Sequence, residues 1–270
     1  MTKETSSQSK LLVVENMSKS LGSKDARIQI IDGLNLTVRT GEFVSIVGPS
    51  GCGKTTLLMC LAGLYKSDDG SMIFNGKEVT GPPEGISVVF QDYSRSLLPW
   101  KSNLMNVVFG MRRQSESKAE KKDAARKILS AVGLEGFEDH YPWQLSGGMQ
   151  QRVAIARALA TRSKLVLLDE PLAAVDAQTR AELQDLLLDL AKRFDQTCVL
   201  VTHDVDEAVY LADRVIVLSS RPTSVLKEIQ VPLAKPRDQI STREDPEYLR
   251  IRHDVLTQIR DLNKKNKAKI

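Results

Sequence analysis

The segment Gly48–Thr55 restricts the fold of this chain more than any other part of its sequence. It reads Gly-Pro-Ser-Gly-Cys-Gly-Lys-Thr, with a β-rich run, Glu42–Val47, before it and a helical pattern, Lys54–Leu61, after it. Glycines let the backbone of such a turn curl so that its N–H groups point inward with no side chain in the way. The following helix adds the positive end of its dipole at the same point. The sequence therefore predicts a strand, an anion-binding loop and a helix.

The spacing of this loop matches the G-x-x-x-x-G-K-[ST] pattern that cradles phosphate groups. We expect Lys54 to contact the β- and γ-phosphates of a nucleotide, Thr55 to place its hydroxyl on Mg²⁺, and Thr56 to bond a phosphate oxygen. The complete predicted cradle comprises Gly48, Pro49, Ser50, Gly51, Cys52, Gly53, Lys54, Thr55 and Thr56. Kinases, GTPases and many ATPases share this motif, so the motif alone does not define a function.

An acidic pair at the end of a buried strand narrows the range of functions that the glycine loop allows. Four apolar residues, Leu165–Leu168, are followed by Asp169 and Glu170. We expect Asp169 to hold the metal ion, directly or through water, and Glu170 to orient and polarise the attacking water. Together with the glycine loop, this pair predicts that the bound nucleotide is hydrolysed.

Alternating strands and helices predict an α/β fold built on a mostly parallel sheet. Helix-like segments at 176–194 and 205–212 separate buried strand-like runs. These runs are Ile86–Phe90, Leu165–Leu168, Cys198–Thr202 and Val215–Leu218. The mostly helical stretch from about 92 to 161 interrupts this alternation, and we interpret it as an inserted helical subdomain.

The N-terminal third predicts an antiparallel β subdomain. Apolar residues from Ile28 to Val38 alternate around Asp32-Gly33, which favours antiparallel pairing. Two strand-like runs, Met72–Phe74 and Lys77–Val79, flank Asn75-Gly76, a strong hairpin signal.

We therefore predict three regions. Residues 1–10 form a disordered polar tail, 11–235 a nucleotide-binding domain, and 236–270 an extension with one helix and a basic end. In the final helix, one stripe is expected to pack on the body of the domain. Its members are Tyr248, Ile251, Val255, Ile259 and Leu262.

Composition excludes several classes of protein. The net charge is +4, and a short basic tail supplies most of the excess, so we expect a solvated tail and no nucleic-acid partner. Apolar runs are too short to span a bilayer, and the polar N-terminus has no signal-peptide core. The three cysteines have no metal-ligand spacing. We expect a soluble intracellular protein that only a partner would hold at a membrane.

The segment Leu145–Arg152 is the most specific motif in the chain. It reads Leu-Ser-Gly-Gly-Met-Gln-Gln-Arg and precedes both a helical pattern and the acidic strand. It resembles the signature motif of ABC ATPases. The resemblance implies that Ser146, Gly147 and Gly148 form a second anion cradle. In that family, the cradle closes on the γ-phosphate bound by a second copy, so that ATP lies between two head-to-tail subunits.

Three further positions are similar to functional residues of the same family. Gln91 resembles the glutamine that senses the γ-phosphate and the metal ion. His203 resembles the histidine that contacts the γ-phosphate and positions the water. Asp176, in Val175-Asp176, resembles the loop through which the two subunits communicate.

The resemblance covers about residues 11–235, and three stretches are most similar to the importer branch for nitrate, sulfonate, taurine and bicarbonate. The first stretch combines residues 90–93 and 98–100, the second is residues 176–180, and the third is residues 207–214. This implies membrane permease subunits as partners, an extracytoplasmic solute-binding protein as an indirect partner, and a location at the cytoplasmic face of the cell membrane. In the family, the inserted helical subdomain (the helical lobe) binds a cytoplasmic helix of the permease. We expect Leu97, Leu98 and Trp100 to be exposed there; packing within the lobe is the alternative.

One departure from the family pattern concerns the base of the nucleotide. Family members usually stack adenine on an aromatic residue upstream of the glycine loop, but no Phe, Tyr or Trp precedes Phe43. The aligned position is Leu21, whose apolar contact would replace part of the stacking. Binding is then expected to depend more on the phosphates.

Rival functions differ in features that the sequence contains. A DNA-maintenance ATPase would separate the loop from the signature by a long coiled coil, whereas Lys54 and Ser146 lie 92 positions apart. A ribosome-binding member would carry two such sites in one chain. An export or lipoprotein-release ATPase stays open, since its catalytic core is nearly the same. A pure binding module would not need Glu170 and His203.

Overall fold

A computed structural model describes residues 9–23, 26–92 and 96–267, and the side chains of 265–267 are outside this description. Most of the predicted disordered tail, residues 1–8, therefore lies outside the described residues, as do Tyr93 and the last lysine. Lys10 already belongs to the first strand.

Strands and helices alternate through the described ranges. The strands are β1 (Lys10–Leu21), β2 (Ile28–Arg39), β3 (Phe43–Val47), β4 (Asp69–Phe74), β5 (Lys77–Glu78), β6 (Ile86–Val89), β7 (Leu165–Asp169), β8 (Thr197–Val201), β9 (Arg214–Leu218) and β10 (Val225–Gln230). The helices are α1 (Lys54–Leu61), α2 (Asn103–Gly110), α3 (Lys118–Ala131), α4 (Gly147–Ala160), α5 (Ala177–Arg193), α6 (Val205–Leu211), α7 (Ser241–Glu244) and α8 (Pro246–Lys267).

The chain divides into two compact units. The first combines Met1–Pro83 with Asp195–Ile270, and the second is Glu84–Phe194. The second unit is wider than the predicted helical lobe at 92–161, because it also contains the strand pair β6–β7 and helix α5.

The first unit contains the predicted antiparallel sheet, in the order β2-β1-β4-β5. The hairpin at Asn75-Gly76 is confirmed: β4 pairs with β5, and both turn residues have positive φ, 50° and 77°. Asp32-Gly33 does not turn the chain. It lies within β2, where Gly33 has φ 57°, and the whole strand pairs with β1.

A second sheet of the first unit positions the glycine loop. Strand β3 is fully buried and pairs in parallel with β8 and with β9, while β10 adds to β9 in the antiparallel sense. Because β3 and β8 are parallel, their carboxyl ends lie at the same edge of the sheet.

The described part of the C-terminal extension belongs to this first unit. Its short helix α7 is an addition to the single predicted helix, and α8 contacts α6 and β9. Within the predicted stripe, Tyr248, Ile251 and Val255 are almost completely buried, while Ile259 and Leu262 are half-buried.

The second unit combines the parallel pair β6–β7 with helices α2 to α5. Helix α2 packs closely on α4, since a Cβ added at Gly110 would lie 2.5 Å from the carbonyl oxygen of Arg157. The expected exposure of Leu97 was wrong: this side chain is 2% exposed and belongs to the core. Leu98 is half-buried, and the Asn106 side-chain amide bonds both its backbone N–H and its backbone carbonyl. Trp100 is 71% exposed.

No helix in the described ranges is both long enough and apolar enough to cross a membrane. The predicted α/β class, with an antiparallel sheet, a mostly parallel arrangement of the core strands and additional helices, is confirmed.

Candidate functional site

The glycine loop joins β3 to α1 and surrounds a buried lysine. The Lys54 side chain is 7% exposed, and its Nζ donates to the carbonyl oxygens of Gly48 (3.0 Å) and Pro49 (3.2 Å). Both acceptors belong to the loop itself. The ammonium group is therefore held against the inner backbone of the loop, where it adds positive charge to the predicted cradle.

The start of α1 has the properties of an anion-binding terminus. Gly53 has φ 115°, and a Cβ added there would lie 2.5 Å from Cγ2 of Ile30, so only glycine fits. No acidic side chain occupies the first turn to compensate the helix dipole. Thr55 is exposed and Thr56 half-buried on this turn, while Ser50 and Gly51 are exposed on the loop.

Cys52 is a structural residue of the loop. Its side chain is 2% exposed, and burial raises the pKa of its thiol, so that the thiol is neutral. A neutral buried thiol contributes packing and no nucleophilic chemistry.

His203 leaves the sheet at the same edge as the loop. It follows β8, whose Val201 pairs with Ile46 of β3. The neighbouring residues fix its backbone: the Thr202 hydroxyl accepts from the N–H of Asp204 at 3.0 Å and donates to the Glu207 carboxylate. The His203 side chain itself is exposed. The first unit thus brings the glycine loop, which is also called the phosphate loop below, and the predicted γ-phosphate histidine to one edge of the sheet.

The acidic pair and Gln91 share an edge within the second unit. Strand β6 pairs in parallel with β7, and Val89 is opposite Leu168. Gln91, two residues beyond β6, and Asp169, the last residue of β7, therefore leave the pair at the same end. The Asp169 side chain is 4% exposed, whereas Gln91 is exposed.

Glu170 has an unusual backbone conformation. Its φ is 43°, in the left-handed region that residues other than Gly, Asn and Asp rarely adopt, and its side chain is half-buried. Such a conformation costs about 1–3 kcal/mol, and residues of this kind cluster at active sites.

The signature segment forms the N-terminus of α4. The Ser146 hydroxyl caps the helix by accepting from the N–H of Met149 at 3.3 Å. Ser146 and Gly147 are exposed, and no acidic residue lies in the first turn. A Cβ added at Gly148 would lie 2.6 Å from Cγ2 of Thr179. The predicted second anion cradle is thus an exposed, positively polarised helix end.

Asp176 uses its carboxylate on its own helix. It caps α5 by accepting from the Thr179 N–H at 3.0 Å and from the Thr179 hydroxyl at 2.7 Å, and these bonds lower its pKa. Since Thr179 also touches Gly148, the predicted communication loop and the signature are linked within one unit through a single side chain.

Leu21 ends β1, opposite Ile28, and is half-buried. This position places an apolar residue at the end of an inner strand of the antiparallel sheet. Its predicted contact with adenine stays a prediction.

Sequence reasoning missed several residues around these segments. Arg221 and Thr223 both donate to carbonyl oxygens of the glycine loop, from about 170 positions away. Just ahead of the signature, Tyr141 and Trp143 stack with their ring centroids 6.0 Å apart and are 40% and 70% exposed. A local motif gives no signal for the first pair, because only the fold brings these distant segments together.

The donors present fit a magnesium ion that is shared with phosphate. Within the ranges that the structure describes, no group of three or more His, Cys, Asp or Glu side chains could hold a metal alone. Mg²⁺ is usually bound through one or two carboxylates together with substrate phosphates. Within the second unit, Asp169 is a buried carboxylate of this kind. Within the first unit, Thr55 is an exposed residue that carries a hydroxyl.

Comparison with known proteins identifies the family. Residues 31–173 match the ABC transporter family, and the chain belongs to that family. It is 42% identical to the bicarbonate transport ATP-binding protein of Synechocystis, over 91% of this chain and 87% of that protein. It is 40% identical to the taurine import ATP-binding protein of Escherichia coli K12, over 92% and 97%.

A solved structure gives the same result for the fold. The chain resembles a dimeric ATP-binding cassette in a post-hydrolysis state bound to ADP and Pi, with a TM-score of 0.72 and 33% identity. The match covers 82% of this chain and 98% of that structure. The chain is therefore an ATP-binding subunit of an ABC transporter, and it is an ATPase.

Proposed function

We propose that this ATPase energises the import of a small anion of the nitrate, sulfonate, taurine or bicarbonate type. The observation that carries the proposal is the pair of relatives named for bicarbonate transport and taurine import. They are 42% and 40% identical to this chain across more than nine-tenths of its length.

The first unit is proposed to bind the phosphates of ATP. Lys54 would exchange its two loop carbonyl acceptors for β- and γ-phosphate oxygens, and backbone N–H groups of Ser50–Thr56 would donate to the same anion. His203 is proposed to contact the γ-phosphate. The uncompensated N-terminus of α1 supports this assignment.

The second unit is proposed to supply the hydrolytic groups. Glu170 would orient and polarise the attacking water, and Asp169, Gln91 and Thr55 would be the residues that hold Mg²⁺. The bound ion would neutralise charge on the phosphate oxygens. The strained backbone of Glu170 supports a functional role, since it holds the carboxylate at a conformation that the chain would not otherwise adopt.

Two copies are proposed to assemble head to tail around two ATP molecules. Ser146, Gly147 and Gly148 of one copy would bind the γ-phosphate held by the other copy, with Asp176 at the contact between the copies. The exposed helix end at Ser146 and the dimeric relative bound to ADP and Pi support this arrangement.

Permease subunits are the proposed membrane partners, with an extracytoplasmic solute-binding protein acting through them. The ATPase would then be peripheral, at the cytoplasmic face of the cell membrane. Trp100, an exposed aromatic side chain of the second unit, is suited to anchor such a contact.

The test is to reconstitute the chain with its permease subunits in proteoliposomes and to measure phosphate release. We expect binding protein loaded with one of the four anion types, added outside, to increase ATP hydrolysis several-fold. The same complex carrying Glu170→Gln is the control. If none of the loaded binding proteins increases hydrolysis, the import proposal is wrong.

An exporter or a lipoprotein-release system is the alternative, because the catalytic core is nearly the same. In that case, hydrolysis would respond to a solute or lipoprotein presented from the membrane or the cytoplasmic side, and the binding protein would have no effect.

A further inference from the structure

We propose that the β9–β10 loop (Ser219–Ser224) positions the phosphate loop for nucleotide binding, through Arg221 and Thr223. The inference rests on the proposed ATP-binding role of the glycine loop. It adds two positioning residues, which belong to none of the motifs identified in the sequence.

Thr223 joins three segments of the first unit. It is completely buried, and its hydroxyl donates to the carbonyl oxygen of Cys52 in the phosphate loop. Its backbone N–H donates to the Ile30 carbonyl at 2.7 Å, and its own carbonyl accepts from the Asp32 N–H at 3.1 Å. The residue thus ties the phosphate loop to strand β2.

Arg221, two residues before Thr223 in the β9–β10 loop, makes the second contact. Its guanidinium Nη2 donates to the carbonyl oxygen of Gly51, and its side chain is exposed, as is Gly51. The guanidinium adds a fixed positive charge beside the loop. That charge favours an anion at the loop, while the contact itself restrains the Gly51 carbonyl.

The β9–β10 loop is itself well ordered by internal hydrogen bonds. The Ser219 hydroxyl accepts from the Ser224 N–H at 2.9 Å, and the Ser219 N–H donates to the Ser224 carbonyl at 2.9 Å. Leu218, which ends β9, packs against the first glycine of the phosphate loop, since a Cβ added at Gly48 would lie 3.1 Å from its Cβ. Arg221 and Thr223 therefore belong to a loop that hydrogen bonds close at its ends and that begins beside the phosphate loop.

Holding a carbonyl also orients an N–H group. In a planar trans peptide, the C=O of one residue and the N–H of the next point in opposite directions. Fixing the Cys52 carbonyl onto Thr223 therefore turns the Gly53 N–H to the opposite side of the loop. Because Gly53 has positive φ and precedes α1, this N–H belongs to the anion-binding start of the helix. Restraining it before binding lowers the entropic cost of ordering the loop around phosphate.

The experiment compares nucleotide affinity with stability in the full-length chain. Thr223→Val keeps the shape of the side chain and removes the hydroxyl, while Arg221→Ala removes the guanidinium from an exposed site. We expect each to weaken binding of the ATP analogue AMP-PNP with Mg²⁺ by about three- to tenfold in calorimetric titrations. The KM for ATP should rise similarly, with kcat within about twofold of wild type. Thr223→Ser should restore affinity.

Lys227→Ala is the matched control, because Lys227 lies on β10 but pairs with Asp254 of α8 at 2.8 Å. It should change thermal stability without changing nucleotide affinity. If Arg221→Ala and Thr223→Val lower Tm but bind AMP-PNP as wild type does, the two residues are only structural and the inference is wrong. Should Thr223→Val not fold, Arg221→Ala alone decides. Failure of the wild-type chain itself to bind AMP-PNP would overturn the proposed function instead.

Discussion

At the scale of residues, Lys54 and Glu170 each have a local structure that suits a site for a charged ligand. Lys54 is buried, and its ammonium group donates to two backbone carbonyl oxygens of the loop. Glu170 is held at positive φ at the end of the acidic strand. Burying an ammonium group and holding a glutamate at positive φ both cost free energy. Each feature therefore supports a role in binding or hydrolysing a bound anion.

Glu170→Gln tests the proposed general base. The amide keeps the size of the side chain but cannot accept the proton of the attacking water. We expect ATP hydrolysis to fall by about a hundredfold or more, with ATP affinity unchanged, in assays of phosphate release and of nucleotide binding. Glu78→Gln, an exposed change on β5, should leave both values as they are. Rapid turnover by Glu170→Gln would contradict the assignment.

Leu21→Tyr tests how the base is held. An aromatic ring at this half-buried strand end should stack on adenine, and stacking is worth about 1 kcal/mol. We expect about fivefold tighter ATP binding and stronger discrimination against GTP, measured by competition titration. Equal affinities for both nucleotides in wild type and variant would show that Leu21 does not lie near the base.

The candidate site residues predicted from the sequence all come from local motifs, and the residues that make long-range contacts were not predicted. Lys54 and Ser146 belong to short patterns whose chemistry is readable from the neighbours. Thr223 has no such neighbours, since its partner Cys52 is 171 positions away. Leu97 was misjudged for the same reason: only the packed fold shows that its apolar side chain is buried rather than exposed.

At the scale of elements, the signature helix α4 and helix α5 are joined at their N-termini. Thr179 donates to the Asp176 cap and also presses its methyl group against Gly148. A substitution at the N-terminus of one helix should therefore alter the packing at the N-terminus of the other. This contact gives the signature and the predicted communication loop a physical connection within one chain.

Gly148→Ala tests that connection. The added Cβ would meet Cγ2 of Thr179 at 2.6 Å, so the variant should lose about 1–3 kcal/mol of unfolding free energy in urea titrations. Thr179→Ser removes this methyl group but keeps the hydroxyl that bonds Asp176. The double variant should recover most of the loss. Additive effects of the two changes would show that the helices are not coupled through this contact.

Helix α8 is held to the first unit by its buried stripe. Tyr248 is 1% exposed, and its hydroxyl donates to the carboxylate of Asp206 at 3.1 Å. Tyr248→Ala should lower the free energy of unfolding by about 3–5 kcal/mol. Tyr248→Phe keeps the ring and should cost only about 1 kcal/mol. Nearly equal losses for both variants would mean that the hydrogen bond, and not the packing, holds the helix.

Element prediction succeeded where periodicity and turn chemistry agreed. Helix α1 has the predicted bounds, and the hairpin at Asn75-Gly76 formed as expected. The Asp32-Gly33 pair was less informative, because a left-handed glycine serves a strand irregularity as well as a turn. Helix α7 was not predicted, since four residues are too few to show a helical period.

At the scale of the whole molecule, each unit supplies part of the chemistry proposed for one reaction. The first unit carries the phosphate loop and His203, and the second carries Gln91, the acidic pair and the signature. The resemblance to a dimeric cassette bound to ADP and Pi is the clearest reason to expect a second copy, and the exposed cap at Ser146 would be available to it.

The most direct test of this account is the mass of the ATP-bound chain, measured by light scattering in a Glu170→Gln background. ATP should convert the 29.9 kDa monomer into a dimer holding two nucleotides. Adding Ser146→Asp keeps a good helix cap but opposes the γ-phosphate with a negative charge, so it should abolish the dimer. Ser146→Asn, a neutral cap, should retain most of it. A Glu170→Gln chain that binds ATP and stays monomeric would contradict the composite site.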